Sequence, residues 1–224
     1  MVKKDKKEHE YITYFNPDVM PLKQAHQDFL AEMQLFNAGE DYKNFNDFII
    51  AEAIDYKDAG DGVTYVVWNV LYDNNNIELE REIVAYYTLA ATAIPYEDRI
   101  RLDEEEAKNT GEKFNIEICG ISSLEIKMFA VNEKYQDVFY EYDGETLPIS
   151  AWIMRSIVDY ACSLSDDVIG FKALFLHSLP EAESFYKANG FNSVEVNMQP
   201  LHSVDSEYKS MYLALKEVHM NYDD

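Results

Sequence analysis

At 224 residues, with 42 acidic against 19 basic side chains and a net charge of −23, the chain is long enough for one large domain and too acidic for a general nucleic-acid binder. A chain of this size buries roughly 70% of its unfolded surface, so it needs neither disulfides nor a metal to be stable. Its two cysteines, Cys119 and Cys162, lack CxxC spacing, and no apolar run reaches membrane-spanning length; the expectation is a reduced, cytoplasmic protein with no membrane partner.

Residues 1–10 read as a charged tail, with Lys3, Lys4, Lys6 and Lys7. Outside it, 15 basic and 39 acidic side chains leave −24, which suits a cationic amine or a basic protein partner, or solubility alone. Tyr11 to Phe15 fits a short first strand. From Asp18, the residues Leu22, Ala25, Phe29, Leu30, Met33 and Phe36 trace a helical stripe that ends near Asn37 to Gly39. Phe45, Phe48, Ile49 and Ala53 mark a second helix, closed by Ala59 to Gly62. Val63 to Tyr72, rich in β-branched and aromatic residues, is a strand; Asp73 to Asn76 turns it back into Glu78 to Ala91. Ile94 to Phe114 is polar, carries the acidic run Asp103 to Glu106, and reads as a long loop with room for a short helix. One domain over residues 11–220, with a polar insertion at about 95–115, is expected.

The most informative stretch runs from Ser123 to Leu164. Ser123, Glu125, Lys127, Phe129 and Val131 alternate with Leu124, Ile126, Met128 and Ala130, a strand with Glu125 and Lys127 on one face. After an irregular segment from Asn132 to Ile149, Ser150 is a candidate N-cap, and Ile153, Ile157, Ala161 and Leu164 recur at helical spacing. Ile149 and Met154 are spaced as a hydrophobic staple. Phe171 to His177 is an apolar run that reads as a buried strand parallel to the first, because a crossover helix joins them. Pro180 opens another helix, Asn189 and Gly190 end it, and Phe191 launches a further strand at Ser193 to Val196. A polar loop through Glu207 precedes Ser210 to Leu215, which closes the sheet.

These stretches resemble the GNAT N-acetyltransferases, through LEIKMFAVNEKYQ (Leu124 to Gln136), through Leu174 to Phe191 with its FYKANGF, and through YYTLAA (Tyr86 to Ala91). The resemblance covers about two thirds of the chain. It implies an α/β (α+β) fold: a mixed, mostly antiparallel sheet with a central splayed parallel strand pair, flanked by helices. It implies acetyl-CoA as co-substrate, transfer of the acetyl group to a primary amine of a small molecule or basic protein, and the first two helices around the acceptor. Members often dimerise, so a homodimer stays open. Some are toxins that acetylate aminoacyl-tRNA, and YYTLAA is similar to theirs; the −24 body argues against nucleic acid as a partner here.

By the same resemblance Glu125 matches the general base, and Tyr186 the tyrosine that protonates the CoA sulfur. Phe129, Ala130 and Val131 would meet the pantetheine arm, Ser178 would hold it, and Gln136 with the helix start at Ser150 and Ala151 would receive the pyrophosphate. The residues alone leave two alternatives open: Glu125 as an ion-pair partner of Lys127, and Tyr186 as core packing beside Phe185. The family's phosphate loop usually reads Gln/Arg-x-x-Gly-x-Gly/Ala, and bare amides there hold the anion. Gln136 fits its first position, whereas Phe139 and Glu141 stand where small residues belong. A catalytically inactive GNAT-fold binding module is therefore the competing expectation. His177 alone carries little, and no HExxH, zinc-spaced Cys/His set, GxSxG or GxxxxGK[ST] motif is present, so no metal is expected.

Overall fold

The computed structural model describes residues 10–195, 198, 208–216 and 218. Val196, the polar loop around Pro200 and His202, and the lysine-rich tail lie outside them. The chain divides into two compact units: residues up to Ala90 together with Lys127–Ile157, and Ala91–Ile126 together with Val158 onward.

In the first unit, β1 (Glu10–Ile12) falls where a first strand is expected, and β2 (Pro17–Pro21) follows. The first helical stripe begins later than its periodicity suggests. Asp18 lies in β2, and α1 (Leu22–Asp28) starts only after Pro21, whose backbone is extended at φ −59° and ψ 140°. Phe29 (φ −138°) interrupts the stripe, and α2 (Leu30–Met33) resumes it. The second helix is α3 (Lys43–Asp47), a π-turn over Phe48–Glu52, and α4 (Ala53–Asp58). These helices and the turns between them bury Leu22, Met33, Phe36, Phe48 and Ile49 in one cluster with Trp68 and Tyr86. Tyr86 is fully buried, donates its hydroxyl to Phe45 O at 2.8 Å, and takes the edge of Phe36 at 5.2 Å.

Trp68 and Tyr86 come from the central hairpin, β3 (Val63–Tyr72) and β4 (Glu78–Arg101), with β2 antiparallel to β3 on its far edge. Thr64 and Thr88 share a 2.8 Å hydrogen bond across it in the buried interior. Arg81 is anchored twice, donating to both oxygens of Glu78 at 2.8 Å and to Asp18 at 2.7 Å, with its guanidinium 4.4 Å above the Phe29 ring.

The segment read as a loop, Ile94 to Phe114, is built differently in the second unit. β4 continues to Arg101, α5 (Glu104–Thr110) follows, and β5 (Phe114–Val131) begins at once. Asp103 caps α5 by accepting from the Glu105 and Glu106 amides at 3.0 and 2.8 Å, and Gly111 ends it at φ 76°, a conformation glycine adopts without strain. The alternation of Phe114, Ile116 and Ile118 is a strand signal, but all three are exposed, so the stretch lacks the buried face that marks a strand in a sequence.

The irregular segment from Asn132 to Ile149 is, in the first unit, a short 3-10 turn (Glu133–Tyr135) and the hairpin β6 (Val138–Tyr142) and β7 (Glu145–Pro148). Asp143 and Gly144 turn it at φ 51° and 77°, the two positive values that a tight two-residue hairpin needs. β1 pairs with β6 in parallel. The hairpin feeds directly into α6 (Ile149–Asp167), so Ser150 is the second helical residue and not the cap. Ile149, Met154 and Ile157 are fully buried along its apolar stripe. Trp152 donates to Tyr140 O at 3.1 Å and Arg155 grips both oxygens of Glu145 at 2.6 and 2.8 Å, clipping helix to hairpin.

The rest of the second unit holds β8 (Ala173–Ser178), a 3-10 turn at Pro180–Ala182, α7 (Glu183–Ala188), β9 (Asn192–Ser193) and β10 (Lys209–Ala214). β5 pairs with β8 in parallel, and β10 is antiparallel to both β8 and β9. The sheet is thus mixed, mostly antiparallel with one parallel pair, and flanked by helices. Among the described residues no helix is long and apolar enough to cross a membrane.

Arg81 holds the Glu78 carboxyl below its ordinary 4.5, and the depressed folded value makes Glu78 a source of acid sensitivity. The stabilisation is complete above the unfolded pKa and is lost as pH falls through the folded one. Arg81→Gln should flatten the decline in stability between about pH 5 and about pH 3, read from urea unfolding at a series of pH values.

Candidate functional site

The parallel ladder of the second unit matches Ser123 with Ala173, Leu124 with Leu174, Glu125 with Phe175 and Ile126 with Leu176. Side chains alternate along each strand, so Glu125, Phe175 and His177 fall on the same face. β10 adds a third strand in register, with Ser210 opposite His177. Glu125, His177 and Ser210, from three strands, thereby line up across the sheet. Glu125 is buried, its side chain only 6% exposed, and its Oε1 lies 4.0 Å from His177 Nε2. The other ring nitrogen, Nδ1, is 3.0 Å from Ser210 Oγ. The edge of Phe175 meets the imidazole at 4.8 Å between ring centres and 82°, fixing the plane of the ring.

A carboxylate so placed can accept a proton, and an imidazole beside it can take that proton on. The side chain on the shared face that sequence reasoning paired with Glu125, Lys127, is exposed where Glu125 is buried. His177 carries the signal that reading the chain alone passed over: its place in a strand two residues beyond Phe175 becomes informative only once the register with β5 is known.

Tyr186 is nine-tenths buried on α7, its ring between the edges of Phe185 (5.2 Å) and Phe191 (5.7 Å). Burial pushes its hydroxyl up to about 12. Gly190, at φ 87°, lets α7 end and Phe191 fold back against it.

Other expected site residues have local engagements. Ser178 is buried and donates to Leu179 O at 2.7 Å. In the first unit, Gln136 donates from Nε2 to Ala38 O at 2.8 Å and to Val131 O at 3.0 Å, a brace for its own loop. Ala130 and Val131 are buried, Ala130 in the cluster around Trp68, while Phe129 is half-buried. Ser150 and Ala151 are half-buried in the first turn of α6. Where a glycine-rich anion loop would sit, the hairpin pairs Phe139 with Pro148, Tyr140 with Leu147, Glu141 with Thr146 and Tyr142 with Glu145. Its backbone is occupied in a ladder.

The first unit also holds a cavity of about 420 Å³, lined by Tyr11, Tyr14, Glu80, Glu82, Lys134 and Tyr135 among others. Lys134 grips Glu82 and the Tyr135 hydroxyl donates to the same carboxylate, so this half-buried acid is satisfied from within. Among the described residues no cluster of three or more histidine, cysteine or acidic side chains could hold a metal ion. Both cysteines are free thiols, and burial pushes Cys162 up.

Compared by sequence, the chain matches no protein-family model and no curated protein. Compared by structure, it is similar over nearly its whole length to a tyrosine-to-phenylalanine mutant of the toxin AtaT, with 19% identity, 96% of this chain and 99% of that one covered, and a TM-score of 0.60. It is similar to AtaTR bound with AcCoA at 19% identity, 92% and 98% coverage and a TM-score of 0.59. A chain of the KacTA–DNA complex follows at 17% identity, 93% and 100% coverage and 0.55. Likeness at such identities is likeness of fold.

Because Gln136 spans two backbone carbonyls, Gln136→Ala should cost about 1 kcal/mol with no ligand present, lowering the thermal midpoint by about 2 to 4 °C. Differential scanning calorimetry checks it; an unchanged midpoint would remove the bracing role.

Proposed function

We propose that this chain, which has the GNAT fold, is an acetyl-CoA-dependent N-acetyltransferase that acetylates a primary amine of a small molecule or a basic protein. The observation that carries the reading is Glu125, a buried carboxylate on β5 at the parallel ladder, with an imidazole beside it. AtaTR was solved with AcCoA, and AtaT with AcCoA and the C-terminus of its antitoxin, which supports acetyl-CoA as co-substrate here and makes a cognate protein partner a reasonable second ligand.

In this reading the amine nitrogen attacks the thioester carbonyl while Glu125 takes the amine proton, and the CoA thiolate leaves with a proton from Tyr186. Burial keeps Tyr186 protonated across neutral pH, the form a donor requires. Phe129, Ala130 and Val131 would bind the pantetheine arm through their backbone, and Ser178 would hold it by giving up its bond to Leu179 O. The pyrophosphate would meet Gln136 and the first turn of α6 at Ser150 and Ala151, where free amides and the positive helix end favour an anion. A cationic amine fits the acidic body better than a nucleic acid does, although one structural neighbour is a complex on DNA.

The ladder-bound hairpin at the anion loop favours one second reading, a GNAT-fold binding module without catalysis. The two part on a single measurement. Acetyl-CoA at about 100 times its dissociation constant adds roughly 2.7 kcal/mol, so it should raise the unfolding midpoint by about 5 to 10 °C if the site binds it. No shift at millimolar ligand would leave the binding module. Given binding and an amine that is acetylated, Glu125→Gln should cut turnover about 100-fold or more and keep the ligand-induced shift; full turnover in that variant would remove Glu125 from the mechanism.

A further inference from the structure

We infer that His177 is the route by which the amine proton leaves: it takes the proton from Glu125 and passes it to solvent. The inference rests on the N-acetyltransferase reading. Each turnover deposits one proton on Glu125, and the next cannot begin until it is gone. The Glu125 side chain is 6% exposed and His177 is 30% exposed, so the histidine is the better-wetted group, 4.0 Å away. That gap closes by one rotamer adjustment or one bridging water.

The balance is simple. A proton moves from Glu125 Oε1 to His177 Nε2, restoring the carboxylate and making an imidazolium; the imidazolium gives its Nε2 proton to water, and solvent returns one proton to Tyr186, which gave its own to the CoA thiolate. Ser210 makes both states comfortable. In the tautomer that can receive a proton at Nε2, Nδ1–H donates to the Ser210 hydroxyl oxygen, and it keeps doing so once the ring is charged, across the same 3.0 Å contact. The Phe175 edge keeps Nε2 turned toward Glu125. Among the described residues the ring meets Glu125 from β5, Phe175 from its own strand and Ser210 from β10, with Tyr212 next along β10 opposite Phe175. Lys209 precedes Ser210, so it points to the other face of β10, where its charge acts on Glu183. His177 is thus a positioning and relay residue, since an imidazole can both accept and release a proton.

Two readouts test it. Proton-detected NMR titration of the His177 ring needs no substrate: in Glu125→Gln the midpoint should fall by about 0.5 to 1 pH unit, because an ionised carboxylate favours the imidazolium. An unchanged midpoint would overturn the relay. With an amine that is acetylated, His177→Gln should lower kcat about 10- to 100-fold at unchanged KM for both substrates. In His177→Ala, added imidazole should restore part of the rate. Transfer untouched by His177→Gln would overturn the relay alone, whereas no transfer by the wild-type chain with any amine would overturn the acetyltransferase reading and the relay with it.

Discussion

Four rungs of parallel pairing, Ser123–Ile126 against Ala173–Leu176, are the constraint on which the proposed chemistry depends. A parallel pair cannot be closed by a tight turn, so the chain must travel through α6 before β8 can lie beside β5. The register that results is what puts Glu125 opposite Phe175 and diagonal to His177. A slip of one residue would send Glu125 to the other face of its strand and dissolve the arrangement. Leu174 and Leu176, both fully buried, oppose such a slip because it would expose them.

The electrostatics of the molecule work at two scales. The body as a whole is strongly acidic, which governs what approaches it. Within the first unit, single cations are held tightly: Arg81 by Glu78 and Asp18, Arg155 by Glu145, Lys134 by Glu82. Arg81 is the most committed, its side chain 9% exposed and stacked on Phe29. In the second unit Glu125 lies beside an imidazole that in turn contacts a hydroxyl, groups that can accept and pass on a proton.

Much of the fold was legible from hydrophobic period. Val63 to Tyr72 stands as read, and α6 buries Ile153, Ile157 and Ala161 as its spacing implies. The misreadings have physical causes. The polar stretch after Ile94 is strand because cross-strand hydrogen bonding does not require a buried face, which composition cannot reveal. Asp137 to Pro148 is a hairpin whose Asp143–Gly144 turn was visible, but its alternation was masked by tyrosines that work on either side of a sheet. At the candidate site, Glu125 and Tyr186 could be singled out by resemblance, whereas His177 and Ser210 could not. Their meaning lies in a register between strands that no local pattern encodes.

The Glu125–His177–Ser210 line also has a meaning for how the chain acquires order. The hairpins β3–β4 and β6–β7 close short loops and form early and locally, while Ser210 is 33 positions from His177 and β8 waits on a whole crossover helix before meeting β5. The three side chains come together only when the last long-range pairings are made. A chain lacking those pairings cannot hold this constellation, so proton transfer along it would report that assembly is complete.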